Sequence, residues 1–104
     1  MDVQLKRGVI ENCVLSAMLK GETYGYELIK TVSPMVEISE STLYPILRRL
    51  CANGYAVVGS AEHNGRLRKY YSITKLGKAK LDDFLKDWED VVKIYDFILK
   101  EYRQ

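Results

Sequence analysis

The sequence predicts a mainly α chain with one small β-hairpin (α+β): three short helices, two strands and one long helix. Three observations carry that prediction. Leu43, Ile46, Leu47 and Leu50 fall at i, i+3, i+4 and i+7, which makes one apolar face of a helix. Residues 55–61 and 67–73 are rich in β-branched and aromatic side chains, and Asn64-Gly65 between them is the strongest short-range hairpin signal. Leu81, Trp88, Tyr95 and Tyr102 recur every seven residues, the spacing of a sustained helical seam.

A chain of 104 residues makes one domain, or a small domain with an extension. The formal net charge is only +2, but it is unevenly placed. Residues 39–75 hold six Lys and Arg against two Asp and Glu, net +4, whereas residues 1–38 and 76–104 are each net −1. A central positive segment suits a localised anionic partner. Cys13 and Cys51 sit in apolar helical contexts, where a free thiol behaves as a small hydrophobe. With His63 as the one histidine and no CxxC, the sequence offers no metal site and requires no cofactor. It pairs no nucleophile with a base and has no phosphate-binding glycine loop, so an enzyme is not expected. Residues 1–7 are polar, with no signal-type apolar run behind them, and no run approaches membrane-spanning length. The expected setting is the cytoplasm, with reduced thiols and no membrane partner.

In chain order, residues 5–20 form the first helix, with Leu5, Val9, Ile10, Cys13, Val14, Ala17 and Met18 at helical spacing and Lys20-Gly21 as the stop. Thr23 is the expected N-cap of a second helix over residues 24–32, which ends before Ser33-Pro34. Gly25 in its first turn costs roughly 1 kcal/mol against Ala, so it should serve close approach of a neighbour. Val36 and Ile38 should pack inward. The third helix runs from about Ser39 to Asn53-Gly54. Pro45 lacks the N–H that would bond back to residue 41, so a tight, 3₁₀-like start over residues 39–41 is expected. Its outward faces carry Ser41, Thr42, Tyr44 and Arg48, hydroxyls and a cation suited to phosphates and base edges. The hairpin follows, with Arg66, Arg68 and Lys69 toward its tip, and must rest on the helices because a lone hairpin is marginal.

Thr74 should cap the long last helix. Beside the seven-residue series of Leu81, Trp88, Tyr95 and Tyr102, a second series holds Phe84, Val91 and Ile98. A third holds Leu85, Val92 and Leu99. This widened stripe runs along a helix about 40 Å long, too long for a core of the preceding residues to cover. A two-fold symmetric copy is the simplest cover, so these ten residues are the expected dimerisation surface. The order of elements is that of a winged helix-turn-helix over residues 1–75, followed by a dimerisation helix over residues 76–104. The third helix would enter the major groove of double-stranded DNA, with the hairpin as a wing beside it.

Two strings are specific as a pair: Ser39-Glu40-Ser41-Thr42-Leu43-Tyr44-Pro45-Ile46-Leu47-Arg48-Arg49-Leu50, and Gly65-Arg66-Leu67-Arg68-Lys69-Tyr70-Tyr71-Ser72-Ile73-Thr74 with Gly77 beyond. Together with Tyr24-Gly25-Tyr26-Glu27-Leu28-Ile29, they resemble the PadR family of bacterial transcriptional regulators over roughly residues 5–95. The chain is similar to the short branch, which has a single C-terminal helix. The resemblance implies a homodimeric repressor on a palindromic operator, often near its own gene, in the bacterial cytoplasm and on the nucleoid when bound. It implies DNA contacts from Ser39, Ser41, Thr42, Tyr44 and Arg48, and from Arg66, Arg68 and Lys69 on the wing. Multidrug-binding relatives carry a tryptophan on the matching helix that sandwiches flat aromatic ligands at the dimer axis. Trp88 is similar in placement, which implies a pocket for a small aromatic effector formed by Trp88, Val92 and first-helix residues such as Val14. An acidic residue of those relatives is matched here by Val92, against a cationic ligand.

The competing reading is a winged-helix protein–protein interaction module without DNA binding. The basic wing, the hydroxyl-rich start of the third helix and its lack of exposed apolar residues favour DNA. Steep weakening with salt separates the two.

Overall fold

The computed structural model describes residues 2–104, in the order α1 (Val3–Ser16), α2 (Gly25–Val32), α3 (Glu40–Ala52), β1 (Ala56–His63), β2 (Arg66–Ile73) and α4 (Lys75–Tyr102). The Asp2 carboxylate caps α1, accepting from the amides of Gln4 at 2.9 Å and Leu5 at 3.3 Å. The helix ends at Ser16, four residues before the expected Lys20. Met18 and Leu19 instead bond three residues back, at 3.1 Å each, which tightens the chain into a turn and keeps Met18 in the core.

Thr23 is not the cap of α2. Its N–H donates to the Tyr71 carbonyl at 3.0 Å and its carbonyl accepts from the Tyr71 N–H at 2.7 Å, a one-residue antiparallel bridge. Tyr24, extended and without a side-chain cap, takes the position before α2. The bridge fastens the base of the hairpin to the start of α2.

Ser39 stands at the N-cap of α3, which places Pro45 in the second turn, and the helix continues through it. The Ser39 carbonyl accepts from both Thr42, at 3.1 Å, and Leu43, at 2.9 Å. The first of these is the 3₁₀-type bond expected for the tight start. At the other end, Gly54 adopts φ 79°, Tyr55 donates to the Leu50 carbonyl at 2.9 Å and Gly54 to Cys51 at 3.1 Å. These are the paired bonds of a Schellman stop, and they require a residue that tolerates positive φ.

β1 and β2 pair from Ala56↔Ile73 to His63↔Arg66. The connection shrinks to Asn64 (φ 52°) and Gly65 (φ 78°), so the strands take in Glu62, His63 and Arg66, which the sequence left in the loop. Two positive φ angles define the type I′ turn, whose twist matches the strands. Only the base of the hairpin is buried, at Ala56 and Tyr71. Arg68, Tyr70, Ser72 and Ile73 are half-buried, and the tip from Val57 round to Leu67 is exposed.

The core lies where α1, α2 and α3 meet, around Val14, Leu15, Leu28, Leu43, Leu47 and Leu50, with Ile38 closing it and Val36 packed at its margin. Thr74 caps α4 by accepting from the Gly77 amide at 3.0 Å, and its hydroxyl donates to the Gly54 carbonyl at 2.7 Å. Gly77 is buried where α4 crosses the start of the hairpin. A Cβ there would run into the Tyr55 carbonyl and lie 2.7 Å from Ile73 Cγ1. Beyond Leu81 no residue of α4 is buried, and the molecule measures 62 × 26 × 22 Å. The architecture is a winged helix-turn-helix with a long C-terminal helix projecting from it.

Two glycines give opposite expectations in urea denaturation. Gly77→Ala should lose about 1–3 kcal/mol, because the backbone carbonyl of Tyr55 cannot move aside cheaply. Gly8→Ala, inside α1 with open space around its would-be Cβ, should gain about 0.5–1 kcal/mol.

Candidate nucleic-acid interface

Burial of Leu43, Ile46, Leu47 and Leu50 turns the other faces of α3 outward. Ser39, Ser41, Thr42, Tyr44 and Arg48 are all exposed. The three short hydroxyls cluster: Ser39 Oγ lies 2.9 Å from Ser41 Oγ and 3.3 Å from Thr42 Oγ1. Tyr44, 40% exposed, leans toward α2, where a Cβ on Gly25 would lie 2.6 Å from its hydroxyl oxygen. The close approach expected of Gly25 is therefore to Tyr44. Burial pushes the neighbouring Tyr71 phenol up; Cys51 and Tyr44 add to this and Arg48 opposes it. Tyr71 thus stays protonated at neutral pH.

Arg49 belongs to the structure of the fold. Its Nε donates to Glu11 Oε1 at 2.9 Å, tying α3 to α1, while Arg7 flanks the same carboxylate at 3.9 Å.

On the wing, Arg66 and Lys69 are exposed and Arg68 is half-buried. The guanidinium carbon of Arg68 sits 4.3 Å from the centre of the Tyr24 ring. The Tyr70 ring meets the same ring edge-on, at 5.8 Å and 76°. A groove of about 580 Å³ runs between the start of α2, the first turns of α3 and the wing, lined by Tyr24, Tyr26, Glu40, Tyr44, Arg68 and Lys69. All the polar and basic side chains predicted for the interface lie on α3 or the wing, and Tyr44, Arg68 and Lys69 share this groove. Sequence reasoning missed Tyr24 and Tyr26. Their signal was two hydroxyl-bearing aromatics around Gly25 at a helix start. Leu67, 80% exposed on the wing, was also passed over.

Along α4, Leu81 is buried against its own chain rather than left for a partner. Phe84 and Trp88 are half-buried and tilted against each other, ring centres 5.7 Å apart. Leu85, Val91, Val92, Tyr95, Ile98 and Tyr102 are open to solvent, and Leu99 is half-buried. Ile94 and Phe97, 60% and 64% exposed, widen the apolar belt beyond the heptad series. An apolar groove of about 430 Å³ separates α1 from α4, lined by Val9, Cys13, Ser16, Leu81, Phe84 and Leu85. A second, also about 430 Å³, opens around Leu85, Trp88 and Val92. Val14 reaches neither. It is completely enclosed in the core.

No group of His, Cys, Asp and Glu among the described residues could hold a metal ion. Cys13 and Cys51 are free, and burial pushes the Cys51 thiol up, away from the reactive thiolate. No helix of the described residues is long and apolar enough to cross a membrane.

Residues 14–83 match the transcriptional regulator PadR-like family. The structure of smu.1704 from Streptococcus mutans superposes with a TM-score of 0.81 at 37% identity, over 90% of this chain and 89% of that one. A PadR-like transcriptional regulator from Bacillus cereus superposes with a TM-score of 0.80 at 31% identity, over 92% of this chain and 96% of that one. A protein of Lysinibacillus sphaericus is 35% identical over 100 residues, 90% of this chain and 91% of that protein. The family match spans more than half of the sequence and the fold is shared, so the chain belongs to the PadR-like family of DNA-binding transcriptional regulators.

Proposed function

We propose that this regulator is a homodimeric repressor acting on a palindromic operator. The observation that carries the reading is the pairing of two surfaces: an outward polar face of α3 beside a basic wing, and a long apolar stripe on α4 that its own chain leaves uncovered. Two copies joined along α4 present two α3 helices related by a two-fold axis, and such a protein reads a site with the same symmetry.

Within each half-site, Ser39, Ser41 and Thr42 offer hydroxyls to phosphates and base edges, and Tyr44 donates to phosphate. Arg48 is the base reader, because its fork matches guanine O6 and N7. Arg66, Arg68 and Lys69 supply mostly sequence-independent attraction to the backbone. The dimer seam runs through Phe84, Leu85, Trp88, Val91, Val92, Tyr95, Ile98, Leu99 and Tyr102, extended by Ile94 and Phe97. A small planar aromatic effector, held between the two copies of Trp88 and Val92, would change the angle of the seam and relieve repression. The open apolar surface beside a half-buried Trp88 supports that last step.

Selection of bound duplexes from a random pool tests the whole reading: a palindrome is expected, and an asymmetric or absent consensus would overturn it. On the recovered site, Arg48→Ala should lose about 1–3 kcal/mol of discrimination at one base pair per half-site. Arg68→Ala should weaken all sequences alike. Uniform loss in both variants would mean that Arg48 does not read bases. Tyr95→Asp places a charge in the seam, so light scattering should report a monomer; an unchanged dimer would exclude the α4 seam. Trp88 is the one tryptophan, so its fluorescence follows the pocket directly. Quenching by planar aromatics is expected, and no response across a panel of them would remove the effector from the scheme.

A further inference from the structure

We propose that Tyr24 is a positioning residue for DNA affinity: its ring clamps Arg68 and with it fixes the wing, rather than touching the DNA itself. The inference deepens the reading above and rests on it.

Side chains two apart on a strand share a face. Arg68 and Tyr70 are therefore neighbours on one face of β2, and both meet the Tyr24 ring, Arg68 at 4.3 Å and Tyr70 edge-on at 5.8 Å. Lys69 lies on the opposite face and is exposed. The three wing cations are thus unlike. Lys69 and Arg66 are exposed, whereas Arg68 is half-buried on an aromatic ring. No carboxylate pairs with Arg68 among the described residues. Contact with a ring occupies the face of a guanidinium and leaves its in-plane N–H donors at the rim. Such an arginine arrives at a phosphate with its rotamer already chosen, so less side-chain entropy is lost on binding.

The ring is itself held. The Tyr24 hydroxyl donates to Glu27 Oε1 at 3.2 Å, one turn further along α2. The residue before it, Thr23, is bonded through both backbone groups to Tyr71, the strand neighbour of Tyr70. The hairpin beyond Tyr71 has no other buried anchor, because every β1 residue past Ala56 is exposed. Tyr24 therefore meets the wing at Arg68 and Tyr70, between the Tyr71 bridge and the exposed tip. The clamp sets where Arg66, Arg68 and Lys69 stand relative to α3.

The test uses the full chain and a short fluorescein-labelled duplex of random sequence, followed by anisotropy from low to physiological salt. Tyr24→Leu is expected to weaken binding about two- to five-fold and to make the salt dependence shallower by about one phosphate contact. Tyr24→Phe, which keeps the ring, should recover most of that loss. In an Arg68→Ala background, Tyr24→Leu should cost much less, since the group it positions is gone. Equal loss in both backgrounds would overturn the clamp and leave Tyr24 a general structural residue. Wild-type affinity in Tyr24→Leu would overturn it too. If thermal melting shows Tyr24→Leu unfolded, Arg68→Lys carries the test, because it keeps the charge and loses the planar group; full affinity in that variant would overturn the clamp. Failure of the wild-type chain to bind duplex in a salt-dependent way is a different result. It would remove the DNA reading, and the clamp with it.

Discussion

Leu43, Leu47 and Leu50 retain almost no exposed surface, and Ile46 little more. Burying side chains of this size contributes about 1.5–3 kcal/mol each. That burial is what holds α3 in place, because local preference works against the helix. Pro45 removes one backbone bond in its second turn, and no side chain caps its start. A helix turns by a fixed angle per residue, so sinking one face fixes the other. Ser41, Thr42, Tyr44 and Arg48 project outward because the four apolar residues project inward. Apart from Tyr44, which packs against Gly25 of α2, that face is exposed and free to be chosen for a partner.

The same helix sets the position of everything after it. Its Schellman stop aims the chain into β1, and the Gly54 carbonyl at that stop accepts from Thr74, the cap of α4. Gly77, one turn on, lets α4 cross directly over the Tyr55 backbone. The axis of α4 is therefore fixed relative to α3 by contacts within a few residues of the crossing. From the other side α1 grips both helices through adjacent residues. Glu11 takes the Arg49 guanidinium of α3, and Asn12, itself bonded to the Gly8 carbonyl at 2.8 Å, accepts from Lys80 of α4 at 3.2 Å. The separation of two α3 helices in a dimer then follows from how two α4 helices meet. In the dimer proposed above, a change of a few degrees at the seam would alter that separation.

Most of the fold was legible in the sequence because it depends on local chemistry. The α3 face needs only helical period. The Asn64-Gly65 turn needs only two residues that accept positive φ, and the Thr74 cap needs only a hydroxyl before a helical run. What escaped was non-local. Thr23 looks like a cap, yet it pairs with Tyr71, a residue of the distant hairpin, and nothing near Thr23 announces that partner. The basic wing residues looked equivalent in a string, but strand alternation and the Tyr24 ring separate Arg68 from Lys69. Val14 shares helical spacing with residues that line the α1–α4 groove, but α1 has two apolar sides, and period alone does not say which one meets the core. Ile94 and Phe97 fell outside a heptad template although they are as exposed and apolar as the residues inside it.

The start of α3 shows what kind of surface this fold has kept. A serine at the N-cap ordinarily accepts from a backbone amide of the first turn, and losing that bond costs about 0.5–2 kcal/mol. Ser39 forgoes it. Its hydroxyl lies instead among those of Ser41 and Thr42, with the amides of the first turn left without a side-chain partner. An isolated helix would fray under that arrangement, but the buried leucines hold this one together. The Thr42 amide is taken by the Ser39 carbonyl, so the helix start presents the N–H groups of Glu40 and Ser41, beside the Glu40 carboxylate, together with three hydroxyls on one exposed edge. Amides and hydroxyls at a helix start can donate to a phosphate oxygen. The local stability given up at Ser39 is thus the counterpart of the DNA contact proposed there, and the core burial behind it is what lets the fold stand the loss.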